Sequence, residues 1–419
     1  MKRKPGPEIR ARAGASPVSG KRGPLAGIRV IDLTQMLLGP YATQALGDFG
    51  ADIVKIEPAA GDARRTMGPS RHAGMTSQHL HVNRGKRSIV VDLKHPQGRA
   101  LVLRLCGQAD VLVHNSRREA MSRLGLGYAD VARAKPDIVY CAAVGFGEAG
   151  PYASQPAYDD MIQGLTAVPS LHQRLMGSPF YSPFNLSDRI CGLVFVQTIL
   201  AALLSRSRTG EGQSVELPMF ETMAEFVLSE HMWGHTFVPP IDGMGARRLF
   251  ERKPSPTRDG HVCFWIGTDA QCARMFDALG TPELKADERF RARAERNRNL
   301  PAFYEKVDAV LATRTTAVWM DIFRTHDIPA MPLHTLESLM EDPHLDAVGF
   351  FRTVEHPSEG RIVSTASPAK WSGTPPSDPA PAPRLGQHTQ EVLREAGLEA
   401  AEIEALNAAG VVQFEERSC

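Results

Sequence analysis

The sequence predicts an α/β fold in which a large, doubly wound parallel sheet is accompanied by a smaller α+β domain. Apolar, β-branched runs alternate with helical patterns through the first third of the chain, the order expected of a parallel sheet with helices on both faces. After about residue 221 the pattern changes to helices around one clear strand, 261–266. A chain of 419 residues is long enough for two such domains, each with its own core.

Prolines and apolar spacing indicate the helices of the large domain. Pro40 is expected to begin one helix and Pro96 another, over 97–109. The longest apolar run, 192–204, is too short to span a bilayer and predicts a buried helix over about 188–205. The predicted strands are 27–33, 52–56, 88–93, 110–113, 137–144 and 215–218.

Ligands of parallel sheets bind outside the carboxyl ends of the strands, so polar residues that follow the strands are the first site candidates. The segment 83–87 precedes its strand and is expected at the opposite edge.

The rest of the chain predicts shorter elements and one connector. The later elements are helices over 270–279 and 301–311, a linker or exposed edge at 329–332, strands over 352–354 and 361–363, and a proline-rich connector over 375–383 followed by a helix.

Composition and charge exclude several classes of function. Hydrophobic residues make up 42% and charged residues 23%, as in a soluble globular enzyme. A net charge of +1 creates no overall field toward nucleic acid or an anionic membrane. The six cysteines are scattered, which favours reduced, buried thiols and a cytoplasmic location over zinc or redox pairs. Residues 1–24 are basic and lack an apolar core segment, which predicts a disordered tail rather than a secretory signal.

The candidate for covalent chemistry is a pair of aspartates in the mostly uncharged segment Gln155–Gln163. Asp159 and Asp160 follow a glycine-broken strand end, where a poorly hydrated carboxylate becomes a real nucleophile. Gln163 lies one helical turn further on and can hold a carboxylate without neutralising it. A tandem aspartate pair is also a common helix start, and the residues alone leave both interpretations open.

Two further sets of residues suit the binding of anions. Three glycines in 145–150 allow close backbone approach and offer amides to an oxyanion, although an ordinary turn would have the same composition. Asp188 is expected to cap the long helix. The mostly basic residues around the sheet, which suit phosphate but are individually typical of a solvated surface, are Arg64, Arg65, Asn83, Lys86, Arg87, Arg117, Arg118 and Arg123.

Several motifs in this chain together resemble one family. The chain is similar to the class III CoA-transferases, the group that includes formyl-CoA transferase and carnitine CoA-transferase, from about residue 25 to 412. The motifs are Leu25–Leu33 with Gly39-Pro40, Asp48–Pro58 with Gly61-Asp62 and Arg65, Asn83–Ser88, Tyr158-Asp159 with Gln163, Asp342-Pro343, Glu355–Pro357, Ser372–Pro375 and Leu385–Thr389.

The resemblance implies an aspartate nucleophile at Asp159. In that chemistry the carboxylate attacks an acyl-CoA thioester to give a mixed anhydride, and the released CoA thiolate then forms an aspartyl-CoA thioester. An acceptor carboxylic acid repeats the sequence in reverse. The resemblance therefore implies no tightly bound cofactor and no metal, with coenzyme A and acyl-CoA as substrates, and it requires that water be excluded.

The resemblance also implies site residues, which stay expectations at this point. Tyr158, Gln163 and Gly145 would support Asp159, and amides near Leu37 or Gly145 would hold the oxyanion. The residues implied for CoA binding are Met36, Leu37, Leu38, Lys86, Asn115, Ser116, Arg123, Val144 and Phe146.

The resemblance further implies a quaternary structure and domain boundaries. The large domain would comprise 25–215 and 335–419, and the small domain 216–334. Two subunits would form an interlocked homodimer in the cytoplasm, without nucleic-acid or membrane partners.

Departures from the family pattern leave alternatives. The segment 242–248, where formyl-CoA transferase has a run of glycines, contains two here, so formate and oxalate are not expected as substrates. Arg247 and Arg248 can instead bind a second carboxylate. Ser116 replaces the usual aromatic residue after Asn115. A related acyl-CoA racemase or isomerase is the alternative function, disfavoured because Tyr158 stands where a histidine is expected. A non-catalytic CoA-binding protein is a third.

Overall fold

The computed structural model describes residues 22–241 and 253–415, which form two compact units. The first unit contains the described residues up to Glu225 and from Phe350 onward, and the second runs from Phe226 to Gly349. The boundaries expected after residues 215 and 334 lie earlier in the chain than these limits. Most of the predicted basic tail lies outside the described residues.

A seven-stranded sheet forms the centre of the first unit as described. Strands are numbered along the chain through both units. The seven in this sheet are β1 (Arg29–Asp32), β2 (Asp52–Glu57), β3 (Lys86–Val91), β4 (Val111–His114), β5 (Val139–Val144), β6 (Gln213–Pro218) and β12 (Val412–Gln413). The other strands are β7 (Ser255–Pro256), β8 (His261–Phe264), β9 (Ala330–Pro332), β10 (Phe351–His356) and β11 (Gly360–Thr365). The sheet order is β12-β3-β2-β1-β4-β5-β6, and only β12 pairs antiparallel. The prediction of a mixed α/β fold with a large, mainly parallel sheet is confirmed.

Helices cover both faces of this sheet because neighbouring strand residues point to opposite sides. Val30 belongs to an apolar cluster with the helices Leu38–Asp48 and Leu186–Thr209. Ile31 belongs to a second cluster with the helices Pro96–Cys106, Tyr128–Ala134, Thr389–Glu395 and Ala400–Ala408. The helices are α1 (Leu38–Asp48), α2 (Ser77–Val82), α3 (Pro96–Cys106), α4 (Arg118–Arg123), α5 (Tyr128–Ala134), α6 (Asp159–Leu165), α7 (Val168–Met176), α8 (Leu186–Thr209), α9 (Met219–His231), α10 (Asp269–Leu279), α11 (Glu288–Arg291), α12 (Arg293–Arg298), α13 (Leu300–Leu311), α14 (Thr316–Thr325), α15 (Leu336–Met340), α16 (Pro343–Ala347), α17 (Thr389–Glu395) and α18 (Ala400–Ala408).

Helix α8 is longer than the sequence predicted. At 24 residues it is long and apolar enough to cross a membrane by length and composition, a test that core helices of soluble proteins also pass. Cys191, Phe195 and Ile199 lie at a spacing of four residues and are fully buried in the cluster on the α1 face of the sheet. This packing places the start of α8 beside the carboxyl ends of the strands.

The second unit has a separate apolar core. A three-stranded antiparallel sheet, in the order β7-β8-β9, packs with α10, α13 and α14 around Phe276, Phe303 and Trp319. Strand β9 covers residues 330–332 of the segment 329–332 that was expected to be a linker or an exposed edge. It forms an edge of this sheet, and its central residue, Met331, is 70% exposed.

A buried ion pair joins β2 to the C-terminal part of the first unit. Arg65 donates from Nε to Oε1 of Glu57 at 2.7 Å and from Nη2 to Oε2 at 2.8 Å, and it also reaches the carbonyl of Pro383. Both side chains are almost fully buried. Although burial opposes ionisation, the Arg65 guanidinium holds the pKa of Glu57 well below its usual range. The pair therefore stays charged at neutral pH and ties distant segments together.

Removing one partner of this pair should destabilise the fold strongly. We expect Arg65→Met to lower the free energy of unfolding at pH 7 by about 3–5 kcal/mol, because Glu57 is left as an uncompensated buried charge. Chemical denaturation measures the loss. The control is Arg133→Met, which removes an exposed pair with Asp130 and should cost less than about 1 kcal/mol. Equal losses in the two variants would contradict the assignment.

Candidate active site

A cavity of about 420 Å³ lies in the first unit at the carboxyl ends of β1, β4 and β5. Loops that leave these strands form one side of the cavity, and the starts of α6 and α8 contribute the other side. Its lining includes Gln35, Met36, Leu37, Leu38, Arg64, Met67, Asn115, Ser116, Arg117, Val144, Gly145, Tyr158, Asp159, Asp160, Asn185 and Asp188. The position agrees with the rule that parallel sheets bind ligands beyond their strand ends.

Asp159 is held in this cavity by two hydrogen bonds. It is the first residue of α6 and is only 5% exposed. Its Oδ2 accepts from Nε2 of Gln163 at 2.5 Å, one helical turn away, and its Oδ1 accepts from the backbone amide of Asp188 at 2.9 Å. Gln163 in turn accepts from the amide of Ser182. The carboxylate is thus fixed in orientation by neutral donors that leave its negative charge in place.

A second carboxylate, that of Asp188, lines the same cavity. The expectation that Asp188 caps α8 is wrong, because the capping position is Asn185 and Asp188 lies within the first turn. Burial and the Asp159 charge raise the pKa of Asp188 to about 6, against the attraction of Arg64 and Arg189. Near neutral pH this group is therefore able to hold or release a proton beside Asp159.

A buried aspartate, Asp62, shapes the loop after β1. Its Oδ2 accepts from Lys55 Nζ at 2.9 Å, and its Oδ1 accepts from the backbone amides of Met36 and Arg64. Met36 has a φ of 68°, a left-handed conformation that is uncommon for a residue with a side chain. The bond to Asp62 stabilises this conformation and directs the chain toward Leu37 at the start of α1.

The start of α1 and Gly145 are the backbone groups suited to an oxyanion. Leu37, the N-cap of α1, contributes no side-chain hydrogen bond to the helix, so no side chain caps its first amides. At Gly145 an added Cβ would lie 2.4 Å from that of Ala157, so only glycine permits this close approach. The amide of Gly147, by contrast, donates to Glu221 at 2.8 Å. That part of the glycine loop is therefore occupied.

The residues expected to bind CoA fall into three groups. Six of them line the same cavity as Asp159, namely Met36, Leu37, Leu38, Asn115, Ser116 and Val144. Arg123 lines a neighbouring cavity of about 640 Å³, which shares Arg118 and Ala153 with the first. Lys86 and Phe146 line neither cavity.

The placement of Lys86 does not allow the phosphate contact expected of it. Its Nζ is fully buried and donates to Asp32, to the carbonyl of Pro40 and to Asn83, at 2.9–3.2 Å. Burial lowers the pKa of Lys86 to about 8, partly offset by the Asp32 charge. Phe146 is also buried and packs edge-to-face on Tyr152 and Phe220. Both residues are therefore buried behind the lining of the cavities rather than part of it.

Several cavity residues were not singled out for this site from the sequence, among them Gln35, Arg64 and Asp188. Gln35 is adjacent to the expected segment 36–38, and its backbone amide and carbonyl are both bonded to the side chain of Asn115. Arg64 and Asp188 were noted only as a possible phosphate ligand and a helix cap. The segment 242–248, with Arg247 and Arg248, lies outside the described residues.

The raised pKa of Asp188 makes a prediction about stability. Since folding raises this pKa from 3.8 to about 6, ionised Asp188 destabilises the folded state above that pH. We expect Asp188→Asn to raise the free energy of unfolding at pH 8 by about 1–3 kcal/mol. The gain should shrink as the pH falls from about 6 toward 3.8, where the carboxyl is protonated in both states. Denaturation at several pH values measures it, and a pH-independent gain would contradict the explanation.

Comparisons with known proteins place the chain in a family. Residues 25–389 match CoA-transferase family III. The succinate–glutarate CoA-transferase of Agrobacterium fabrum is 33% identical over 389 residues, which are 90% of this chain and 96% of that protein. An acetyl-CoA:oxalate CoA-transferase of Acetobacter aceti is also 33% identical, over 89% of this chain and 96% of its own. A crystal structure of a CAIB/BAIF family protein from Brucella suis superposes with a TM-score of 0.78 at 29% identity, covering 90% of this chain and all of the other. This chain belongs to CoA-transferase family III, the class III CoA-transferases.

Proposed function

We propose that this enzyme transfers coenzyme A from an acyl-CoA to a dicarboxylic acid through a covalent intermediate on Asp159. The observation that carries the proposal is the position of this carboxylate. It is buried in a cavity at the strand ends and oriented by Gln163 and the amide of Asp188. A carboxylate that is poorly hydrated yet fixed in orientation is an effective nucleophile.

The proposed reaction transfers acyl groups between the CoA thiol and carboxylate oxygens, and each bond that forms replaces one that breaks. An oxygen of Asp159 attacks the thioester carbon, the carbon–sulfur bond breaks, and CoA departs as the thiolate. The product is a mixed anhydride between Asp159 and the donor acid. The thiolate then attacks the Asp159 carbonyl carbon, which releases the donor acid as a carboxylate and leaves an aspartyl-CoA thioester. The acceptor carboxylate reverses these two steps and departs as the new acyl-CoA. No step consumes water, so the cavity must keep water out.

Backbone amides support the proposed oxyanions. Each attack produces a tetrahedral intermediate with one negatively charged oxygen, which amide donors in a desolvated site stabilise strongly. The start of α1 at Leu37 and Leu38 and the amide of Gly145 both border the cavity that contains Asp159. We assign the oxyanion to these groups.

The CoA molecule is proposed to extend from Asp159 toward the neighbouring cavity. Met36, Asn115 and Val144 line the first cavity and suit the pantetheine arm, whereas Arg118 borders both cavities. Arg123 in the second cavity is placed to meet a phosphate group.

The acceptor is proposed to be a dicarboxylic acid because of the relatives. The two similar enzymes are named for succinate and glutarate and for oxalate, all of which carry two carboxylates. The segment 242–248 predicted against oxalate, whereas the Acetobacter relative makes oxalate a useful member of any substrate panel. We also propose that the enzyme acts in the cytoplasm.

An acyl-CoA racemase is the second candidate, and Asp188 is the observation that favours it. A group with a pKa of about 6 beside the reacting atoms suits proton exchange at an α-carbon. Against it, no histidine lines the cavity in the described part of the chain, and Tyr158 precedes the nucleophile. Entry of solvent deuterium at the α-carbon of an acyl-CoA, without net CoA transfer, would favour the racemase.

An interlocked homodimer is proposed as the functional assembly. The segment around the site exposes many large apolar side chains, which a partner subunit would cover. They include Tyr158, Met161, Leu165, Leu175, Met176, Phe180, Tyr181 and Phe184, each at least 46% exposed. Light scattering should give twice the mass of one chain, 45.8 kDa, and a monomer that is fully active would contradict the assembly.

The covalent intermediate provides the direct test of the mechanism. Wild-type enzyme incubated with an acyl-CoA should yield a hydroxamate at Asp159 after treatment with hydroxylamine, located by mass spectrometry. Asp159→Asn should abolish the adduct and lower turnover by at least about 10³-fold, because an amide is not a nucleophile.

Asp160→Asn is the matched control, because Asp160 is adjacent to Asp159, carries the same charge and has an exposed side chain. It should retain the adduct at Asp159. Undiminished turnover in Asp159→Asn, or an adduct at another residue, would contradict the mechanism.

A further inference from the structure

We propose that Arg64 binds the distal carboxylate of the dicarboxylic substrate and thereby selects diacids over monoacids. This inference rests on the proposed function and deepens it by naming the residue that recognises the second carboxylate. It follows from the burial of Arg64, from the absence of an ion-pair partner among the described residues and from its place in the Asp159 cavity.

Arg64 carries a buried charge that forms no direct ion pair with any described carboxylate. Its residue is 5% exposed, yet no carboxylate among the described residues lies within ion-pair distance of it. Its Nη1 donates to the neutral side chain of Gln78, and its buried Nε has no hydrogen-bond partner in the described structure. Burying a guanidinium costs free energy unless an anion compensates, and arginine cannot shed its proton.

The adjacent residue shows what a structural arginine looks like in the same surroundings. Arg65 is bonded at both ends of its fork to Glu57 and also reaches a backbone carbonyl. Its charge is fully matched within the protein, and it does not line the cavity. Arg64 differs in both respects, so a role in fold stability alone does not explain it.

Arg64 lines the same cavity as Asp159, in which the acyl group is proposed to bind. Its charge acts on the carboxyl of Asp188, whose backbone amide is bonded to Asp159. The cavity also receives Met67 from the same segment, which adds apolar surface beside the guanidinium. An acyl chain attached at Asp159 therefore has an apolar wall and a cation within the same enclosure.

The backbone of Arg64 is anchored, which keeps the guanidinium in a defined position. Its amide donates to Asp62 at 3.0 Å, and its carbonyl accepts from the hydroxyl of Thr76 at 2.6 Å. A rigid, planar fork of donors matches the geometry of a carboxylate. A CoA phosphate is the less suitable occupant, because the exposed Arg123 lines the adjoining cavity.

The test compares two acceptors that differ only in the distal group. Glutarate and its monomethyl ester have the same chain length, but the ester lacks the second negative charge. In ping-pong kinetics the acceptor kcat/KM does not depend on the donor, so the ratio of the two values measures recognition of the distal carboxylate. We expect wild type to favour glutarate and Arg64→Gln to reduce this preference about 10- to 100-fold.

Internal controls separate recognition from folding. Arg64→Gln should still transfer CoA to the half-ester at close to the wild-type rate, which also shows that the variant is folded. Arg64→Lys, which keeps the charge but not the fork, should restore part of the preference. Arg133→Gln removes an exposed arginine that lines neither cavity and should leave the preference intact.

Each outcome has a distinct meaning. A preference that survives Arg64→Gln overturns the role of Arg64 while leaving the proposed function in place. An equal fall in turnover with both acceptors also overturns it, since Arg64 would then only balance the charges of Asp159 and Asp188. A wild-type enzyme that transfers CoA without preferring the diacid overturns both this inference and the dicarboxylate part of the proposed function.

Discussion

The site depends on one buried interaction, the ion pair between Lys55 and Asp62. Both side chains are fully buried, and Asp62 uses its oxygens to accept from Lys55 and from two backbone amides. Lys55 also donates to the carbonyl of Thr34 at 2.8 Å, so the pair holds both sides of the loop after β1. Without it the left-handed conformation of Met36 would lose its compensation, and the start of α1 would no longer face the cavity.

The same aspartate links the two functions of the cavity. Through Met36 it positions the amides proposed for the oxyanion, and through its bond to the Arg64 amide it positions the segment proposed to read the substrate. Gly61 makes this geometry possible, because its φ of 74° is left-handed and an added Cβ would lie 2.7 Å from Cδ of Arg65. The proposed catalysis and the proposed substrate selection thus share one structural support, and a change at Asp62 would affect both.

Local patterns in the sequence predicted the sheet, while the detailed roles of charged residues depended on distant contacts. Apolar, β-branched runs were enough for the six parallel strands, and prolines for two helix starts, because each signal lies within a few residues. Strand β12 was not predicted. The contact of Gln163 with Asp159 could also be anticipated, since a helix brings residues four apart together.

Residue type and spacing alone do not distinguish Arg64 from Arg65, although the family motif includes Arg65 only. The difference arises because the partners of Arg65 include the carbonyl of Pro383, more than three hundred residues away. Lys86 illustrates the same limit: its partner Asp32 is 54 residues earlier, so composition suggested a phosphate ligand where the fold made a buried ion pair. Asp188 reaches Asp159 across 29 residues, by the packing of α6 against α8.

The charges of the cavity impose an order on the proposed reaction. With Asp159 ionised, the cavity repels a free carboxylate but admits an acyl-CoA, whose reacting thioester is neutral. Formation of the aspartyl-CoA thioester removes the Asp159 charge, and with it one cause of the raised pKa of Asp188. An anionic acceptor then meets a weaker opposing field at the reacting carbon, while the cation of Arg64 remains. In this scheme the nucleophile itself, by losing and regaining its charge, keeps donor and acceptor from competing for the site.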